Sequence, residues 1–405
     1  MGLLGDAVLR CDFVKDAEER RIVEAVRELA SGFAERAEEY DRAGRFPEEN
    51  FAALASSKLM ALRAPAEYGG MGMSSAGYVA AICEMAKGDA STALAYNMHA
   101  TTLAVLGVLG SEEQKRRWFG RVVHEGARIA ALGSEPDLKP FFSGAKPRTV
   151  LERRSSGIVL RGRKSYGSFG PHADLLYVTA TFGVRVVGAM VDARAPGIEA
   201  HRDWDVMSMR GTSSVTMDFH DVAVDEADIV SPRDQSEALL LELEYALGYP
   251  PIYLGIAEVA YRVARDGWKS VFDRRPASGT IETDPDSARA IWQLGEMRLL
   301  LEPAWLMAQR AACAGAIGSF ERGAAIASAK AVACEAACAV ASLAMRVAGG
   351  RALSRKSPIE RAFRDVQAGL VMAFSPDQVR SMLGLIELGR APAFVVAMAD
   401  ASRPR

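Results

Sequence analysis

The sequence predicts an α+β protein whose strands are gathered into one central block, with a helical first third, an all-β middle and a helical remainder. Two observations carry this reading. Apolar residues recur about every 3.6 positions up to His124, about every 2 positions between Ile129 and Val230, and helically again from Ser236. Nowhere do strand and helix alternate as they would in a doubly wound α/β enzyme. The length of 405 residues leaves room for two or three such units, placed at 1–128, 129–235 and 236–405.

Each element has its own signal. Asp16 and Glu19 stand at capping-box spacing, and Ile22, Val26, Leu29 and Phe33 fall on one helix face. Pro47 opens a second helix reaching about Leu59, and Tyr68-Gly-Gly-Met-Gly72 interrupts the pattern. Helical runs follow over Ala76 to Lys87, Ser91 to Leu109 and Ser111 to His124. Four alternating segments then read as strands: GIVLRGRKSYG from Gly157, DLLYVTATF from Asp174, VRVVGAMVDA from Val184 and SVTMDFHDVAV from Ser214. In the last of these, Val215, Met217 and Phe219 share a face. The later helices include the Ala-dominated run Ala324 to Val347, whose small residues suit close helix packing.

Composition narrows the function class. With 49% hydrophobic, 25% charged and 7% aromatic residues and a net charge of -2, the chain reads as a soluble globular protein. It has no basic field for nucleic acid or a membrane surface, so small-molecule chemistry is expected. The five cysteines are odd in number and form no CxxC pair, which fits reduced, buried thiols. The apolar run at the start is too short for a signal peptide, and the one after Phe320 is broken by Lys330 and Glu335, so a cytoplasmic location is expected. No GxGxxG follows a strand, no GxSxG surrounds a serine, and the five histidines show no HExxH or ligand-spaced pair, so no metal is expected. The nearest phosphate-loop candidate, Gly157 to Ser165, lies between strands and carries an extra Arg163.

Seven segments, taken in order, resemble the acyl-CoA dehydrogenase superfamily over nearly the whole chain. They are Tyr68-Gly-Gly-Met-Gly72, Gly110-Ser-Glu-Glu-Gln-Lys115, Gly133-Ser-Glu-Pro136, Gly162-Arg-Lys164 with Tyr166 and Ser168, Met209-Arg-Gly-Thr212 through Val222, Gly349-Gly350, and Arg364-Asp365. The resemblance implies an N-terminal helical domain, a middle β-barrel or sandwich and a C-terminal four-helix bundle. It also implies an FAD-dependent oxidation of an acyl-CoA thioester, an electron-transfer flavoprotein as partner, and a homodimer or homotetramer. Carried over residue by residue, the flavin contacts fall on Ser134, Tyr166 and Ser168, where the family has Thr, Trp and Thr. Hydrogen bonds at the flavin edge and one screened face are what a reduced ring requires. Read alone, Ser134 is a turn cap and Tyr166 a half-buried strand residue. The adenosine end falls on Arg275, Arg346, Gly349 and Gly350, with Arg346 where the family has Gln.

Abstraction of the proton beside a thioester needs a positioned carboxylate. In most members it lies about eight residues after the Arg-Asp pair, and Ala373 stands there. Some relatives carry it on the first helix after the β domain, where this chain offers Glu242 and Glu244. Glu244 is the candidate base, one residue out of register; the alternative is an exposed helical glutamate pair. The superfamily also contains monooxygenases that receive reduced FMN or FAD from a flavin reductase and act on an aromatic or amine substrate, a second reading favoured by the missing glutamate. A third is a non-catalytic flavin-binding descendant. His99, on an apolar helix, is the histidine able to reach the flavin cleft, although a lone histidine on such a face is more often a satisfied core residue.

Overall fold

The first helix, α1 (Ala17–Ala43), starts where the capping signal placed it, with the Asp16 carboxylate accepting the N–H groups of Glu18 and Glu19. Glu19 turns instead to Ser74, accepting its N–H at 2.5 Å and its hydroxyl at 2.9 Å, and so ties α1 to the start of another helix. The computed structural model describes residues 13–136, 145–274 and 285–390. After α1 come α2 (Glu48–Ser56), α3 (Ser75–Gly88), α4 (Ala90–Leu109) and α5 (Glu112–Glu125). Ser111 and Gln114 close a full capping box at α5. The helix α4 is buried on every side from Ala90 to Leu106 and forms the centre of the N-terminal layer.

The β block holds β1 (Ile129–Leu132), β2 (Val150–Arg154), β3 (Gly157–Gly167), β4 (Leu175–Phe182), β5 (Arg185–Asp192), β6 (Ile198–Ala200), β7 (Val215–Val224) and β8 (Ile229–Val230). They form one sheet in the order β6-β7-β3-β2-β4-β5-β8, with β1 parallel to β4. Val215, Met217 and Phe219 are buried on one face of β7, as their alternation required. The phosphate-loop candidate is β3 itself, with Lys164 buried at 0% exposure.

The helical remainder consists of α6 (Gln235–Glu244), α7 (Tyr249–Asp273), α8 (Pro285–Cys313), α9 (Phe320–Ala348), α10 (Pro358–Asp365), α11 (Ala368–Val371) and α12 (Pro376–Glu387). The fold is thus mixed α+β, with helices on either side of a central sheet in chain order. The helix α7 packs against α3, α8 and α9. Close approach is built into the α3–α7 contact, where a Cβ on Gly255 would lie 2.8 Å from the Cys83 carbonyl. Alanines along α9 serve the same end, from Ala325 to Ala344. By length and composition α4 and the Phe320–Leu353 stretch could each cross a membrane, and 83% and 50% of their most apolar windows are buried inside the protein.

Candidate functional site

The site begins at the end of β1, where the chain runs through Gly133, Ser134 and Glu135. Lys164 of β3 donates to Glu135 Oε1 at 2.8 Å and to the Gly133 carbonyl at 3.3 Å. Glu135 also accepts the N–H groups of Arg148 at 2.7 Å and Thr149 at 3.0 Å. Burial pushes this carboxyl upward, but Lys164 and the Thr149 donors outweigh it and hold it below the usual carboxylate range. The same burial lowers Lys164. The clamp sets Ser134 beside β3, and the Ser134 carbonyl accepts the Ser165 N–H at 3.0 Å.

From there the surface changes character. Tyr166 has a left-handed φ of 58° and is 68% exposed, its ring edge-on to Trp204 with centroids 6.4 Å apart. Trp204 in turn donates to the Met209 carbonyl at 3.3 Å. Ser168 is buried, and its hydroxyl meets Ser214 at 2.9 Å, which meets Thr212 at 2.7 Å. Tyr166, Phe169, Met209 and Ser213 all hold positive φ, a concentration of strained non-glycine residues of the kind found at binding sites. The hydroxyl of Ser165 is buried and has no hydrogen-bond partner among the described residues. An exposed aromatic face beside an exposed serine and an unpaired buried hydroxyl fits the edge and face of a flavin ring.

The Arg364-Asp365 pair supports this surface from below. Arg364 grips both oxygens of Asp41, at 2.8 and 2.6 Å, and donates to the Met207 carbonyl at 2.8 Å. Asp365 accepts the Met209 N–H at 2.7 Å, and burial, with Asp41 adding to it, pushes its carboxyl up to about 7. One pair of residues therefore joins α1, the strained loop and the C-terminal helices.

The two glutamates of α6 diverge. Positions two apart on a helix differ by about 200°, and here they face opposite ways. Glu244 is buried and held in a two-point pair by Arg322, with Nε to Oε1 at 2.5 Å and Nη2 to Oε2 at 3.1 Å. Arg322 is itself fixed by Ser75 and by the carbonyls of Ala311, Ala312 and Ala314. Glu242 points the other way, toward Gly133, since a Cβ placed there would lie 3.9 Å from its Oε1. It makes no hydrogen bond or ion pair with another described residue, and burial raises its carboxyl against the opposing pull of Lys164. Next to it, the Tyr245 hydroxyl lies 3.0 Å from Thr102, while Asn97 donates to the Tyr245 carbonyl at 2.9 Å.

His99 is a satisfied core residue and not a base. Its Nδ1 accepts the Ile129 N–H at 3.1 Å, so its Nε2 is the nitrogen that donates to the Met60 carbonyl at 2.8 Å. Burial lowers it to about 4, and neither nitrogen is left for a substrate. Ala373 is exposed, on a segment that Lys330 holds through the carbonyls of Gly369, Met372 and Phe374. Arg346, Gly349 and Gly350 are exposed at the end of α9, and Arg275 lies outside the described residues. Ser134, Tyr166 and Ser168, by contrast, are brought together. Sequence reasoning passed over Glu135, Ser165 and Trp204 as site residues, and weighed Glu242 only as half of a pair. Elsewhere, Glu199, Asp218 and His220 place possible ligand atoms within 4.8 Å of one another, but Asp218 is already engaged by Arg163 and His201.

Two family descriptions match the chain: "Acyl-CoA dehydrogenase, N-terminal domain" over residues 16–125 and "Acyl-CoA dehydrogenase, C-terminal domain" over residues 247–375, together more than half of its length. The protein YdbM of Bacillus subtilis (strain 168), assigned by name to the acyl-CoA dehydrogenases, is 28% identical over 372 residues, covering 88% of this chain and 94% of its own. A dibenzothiophene monooxygenase of Mycolicibacterium goodii is 28% identical over 375 residues, covering 85% and 88% respectively. Among solved structures, TdsC from Paenibacillus sp. A11-2, in complex with FMN and indole, matches with a TM-score of 0.81 at 25% identity, covering 93% of this chain and 99% of its own.

Proposed function

The chain belongs to the acyl-CoA dehydrogenase superfamily and is a flavin-dependent oxidoreductase; from that premise we propose that it is a reduced-flavin-dependent monooxygenase of a small organic substrate. The observation that carries this reading is the two-point capture of Glu244 by Arg322. With Ala373 at the other family position, neither that residue nor Glu244 supplies a free carboxylate. The names of the dibenzothiophene monooxygenase and of the FMN- and indole-bound TdsC support the same direction.

Ser134, Tyr166 and Ser168, with the unpaired Ser165 hydroxyl, are the residues we assign to the ring and edge of the flavin. Arg346, Gly349, Gly350 and Arg275 are assigned to its phosphate end, reached from a second copy of the chain in a homo-oligomer. The adenosine segments depart from the family pattern, which favours FMN over FAD. When bound, reduced flavin supplies the two electrons that divide dioxygen between the substrate and water. The protein's own contribution is positional and protonic. The Lys164–Glu135 clamp orients Ser134, the Tyr166–Trp204 pair screens one face, and Glu242 holds a proton at its raised carboxyl and delivers it as water departs. A separate cytoplasmic reductase would supply the reduced flavin.

The test is oxygen transfer in a coupled assay: the protein, an NADH-driven flavin reductase, labelled dioxygen, and indole or dibenzothiophene as probes. One labelled oxygen atom in the organic product is expected. A second reading rests on Glu242, which as a free carboxylate facing Gly133 could serve as the base of a dehydrogenase. Anaerobic bleaching of bound oxidised flavin by an acyl-CoA, with no label transferred, would establish that reading and overturn the first.

A further inference from the structure

Arg63 is a buried cation with no hydrogen-bond or ion-pair partner among the described residues. It precedes the Tyr68 turn, is 7% exposed, and its Nη1 is shut off from solvent with no hydrogen bond. One face of the guanidinium lies 5.0 Å from the Tyr78 ring centroid, but the Tyr78 hydroxyl is spent on Asn97 at 2.6 Å. Glu244 is the charge that most favours the protonated form of Arg63, yet both Glu244 oxygens are already taken by Arg322. Two guanidinium groups therefore share one carboxylate in a buried place. Arginine stays charged in proteins, and a buried cation short of a counter-ion and of acceptors is costly to hold. Such a group is most readily explained by an anion that arrives.

The position of this cluster says where such an anion would lie. Glu242 and Glu244 are two residues apart on α6, one toward Gly133 and the flavin edge, the other toward Arg322 and Arg63. Between them runs a chain of polar contacts, from Tyr78 to Asn97, from Asn97 to the Tyr245 carbonyl, and from the Tyr245 hydroxyl to Thr102. We propose that Arg63 anchors an oxyanion group of the substrate, a carboxylate, sulfinate or sulfonate, at the end of the site remote from the flavin. The forked donors of a guanidinium match two oxygens of such a group, which a water molecule would match less well. The assignment rests on reading Gly133 and Ser134 as the reacting edge.

The experiment is ligand-induced thermal stabilisation of the flavin-loaded protein at constant ionic strength, with butanoate, butane-1-sulfinate, butane-1-sulfonate and neutral butanamide as probes and chloride as the balancing anion. At saturation, about a hundred times Kd, a rise of about 3 °C is expected for at least one of the anions and none for butanamide. The ranking of the three anions identifies the group. Arg63→Met should weaken that binding by on the order of 100-fold without lowering the melting temperature of the ligand-free protein, because it removes an uncompensated charge. Arg63→Lys, which keeps the charge but loses the fork, should weaken it by about tenfold. Equal shifts in wild type and Arg63→Met, equal affinity in Arg63→Lys, or no shift with any anion would overturn the proposal. Oxygen transfer is scored separately with neutral probes, so loss of anion binding and loss of the monooxygenase reading are distinguishable.

Discussion

Replacing Lys164 with Met tests the clamp on which the proposed flavin edge depends. The side chains of Lys164 and Glu135 are 0% and 2% exposed, so the substitution leaves a buried carboxylate whose remaining donors are the N–H groups of Arg148 and Thr149. Breaking one partner of a buried pair costs about 3–5 kcal/mol, and the surviving donors place this case near 3 kcal/mol. With unfolding entropy of about 2.1 cal/mol/K per residue, a 405-residue chain loses roughly 3–4 °C in Tm. The pH dependence fixes the cause. In the wild type the depressed Glu135 carboxyl contributes stability above the unfolded carboxylate value, about 4.3, and that stability is lost as pH falls. In the variant, burial acts without the ammonium, the carboxyl rises, and stability is lost as pH rises through it. The deficit should therefore be larger near about pH 8 than near about pH 4.5. Melting curves across that range, with flavin affinity followed by fluorescence quenching, check both parts. Flavin binding should weaken about tenfold as Ser134 loses its fixed position. A Tm deficit that is absent or independent of pH would refute the reasoning, as would unchanged flavin affinity.

Other expectations are independent of the clamp. Glu242→Gln should cut turnover in the oxygenation assay by about 10²–10⁴-fold while leaving flavin affinity within about twofold; equal turnover would remove Glu242 from the chemistry. Glu244→Gln should instead lower stability by about 3 kcal/mol, because it leaves Arg322 as a second unpaired buried cation, and a denaturant titration reads it. Asp365 is pushed up to about 7, so the folded protein keeps a proton that the unfolded chain releases near about pH 4. Its contribution to stability falls as pH rises between those values, and Asp365→Asn should flatten the change in Tm over that interval. Gly248→Ala would place a Cβ 1.9 Å from Asn97 Oδ1, forcing Asn97 off Tyr78 and the Tyr245 carbonyl at a cost of about 1–3 kcal/mol, measurable as a lower Tm.

Much of the fold was legible because its signals are local. The change of period marked the β block, the helical run from Ser111 to His124 marked α5, and GIVLRGRKSYG proved to be β3 from end to end. Short strands such as β1 and β6 were not singled out, since three or four residues carry too little alternation to register. Asp16 capped α1 as its spacing implied, but Glu19 was drawn away by Ser74, 55 positions on. Resemblance assigned Ser134, Tyr166 and Ser168 to the flavin, and the structure brings the three into one neighbourhood. Which of two glutamates is left unpaired was not legible. Glu242 and Glu244 look alike in sequence, and a helix separates them by about 200°.

By itself the sequence determined the order of helices and strands, the caps, the family and the kind of cofactor, because periodicity, capping and ordered motifs are written within a few residues of one another. Only the tertiary structure decided which polar groups are spent and which are free. His99 is closed by Met60 and Ile129, and Glu244 by Arg322, 78 positions away, while Glu242 and Arg63 are left without a hydrogen-bond or ion-pair partner among the described residues. Whether a buried charge is satisfied depends on groups that the chain brings together only when it folds.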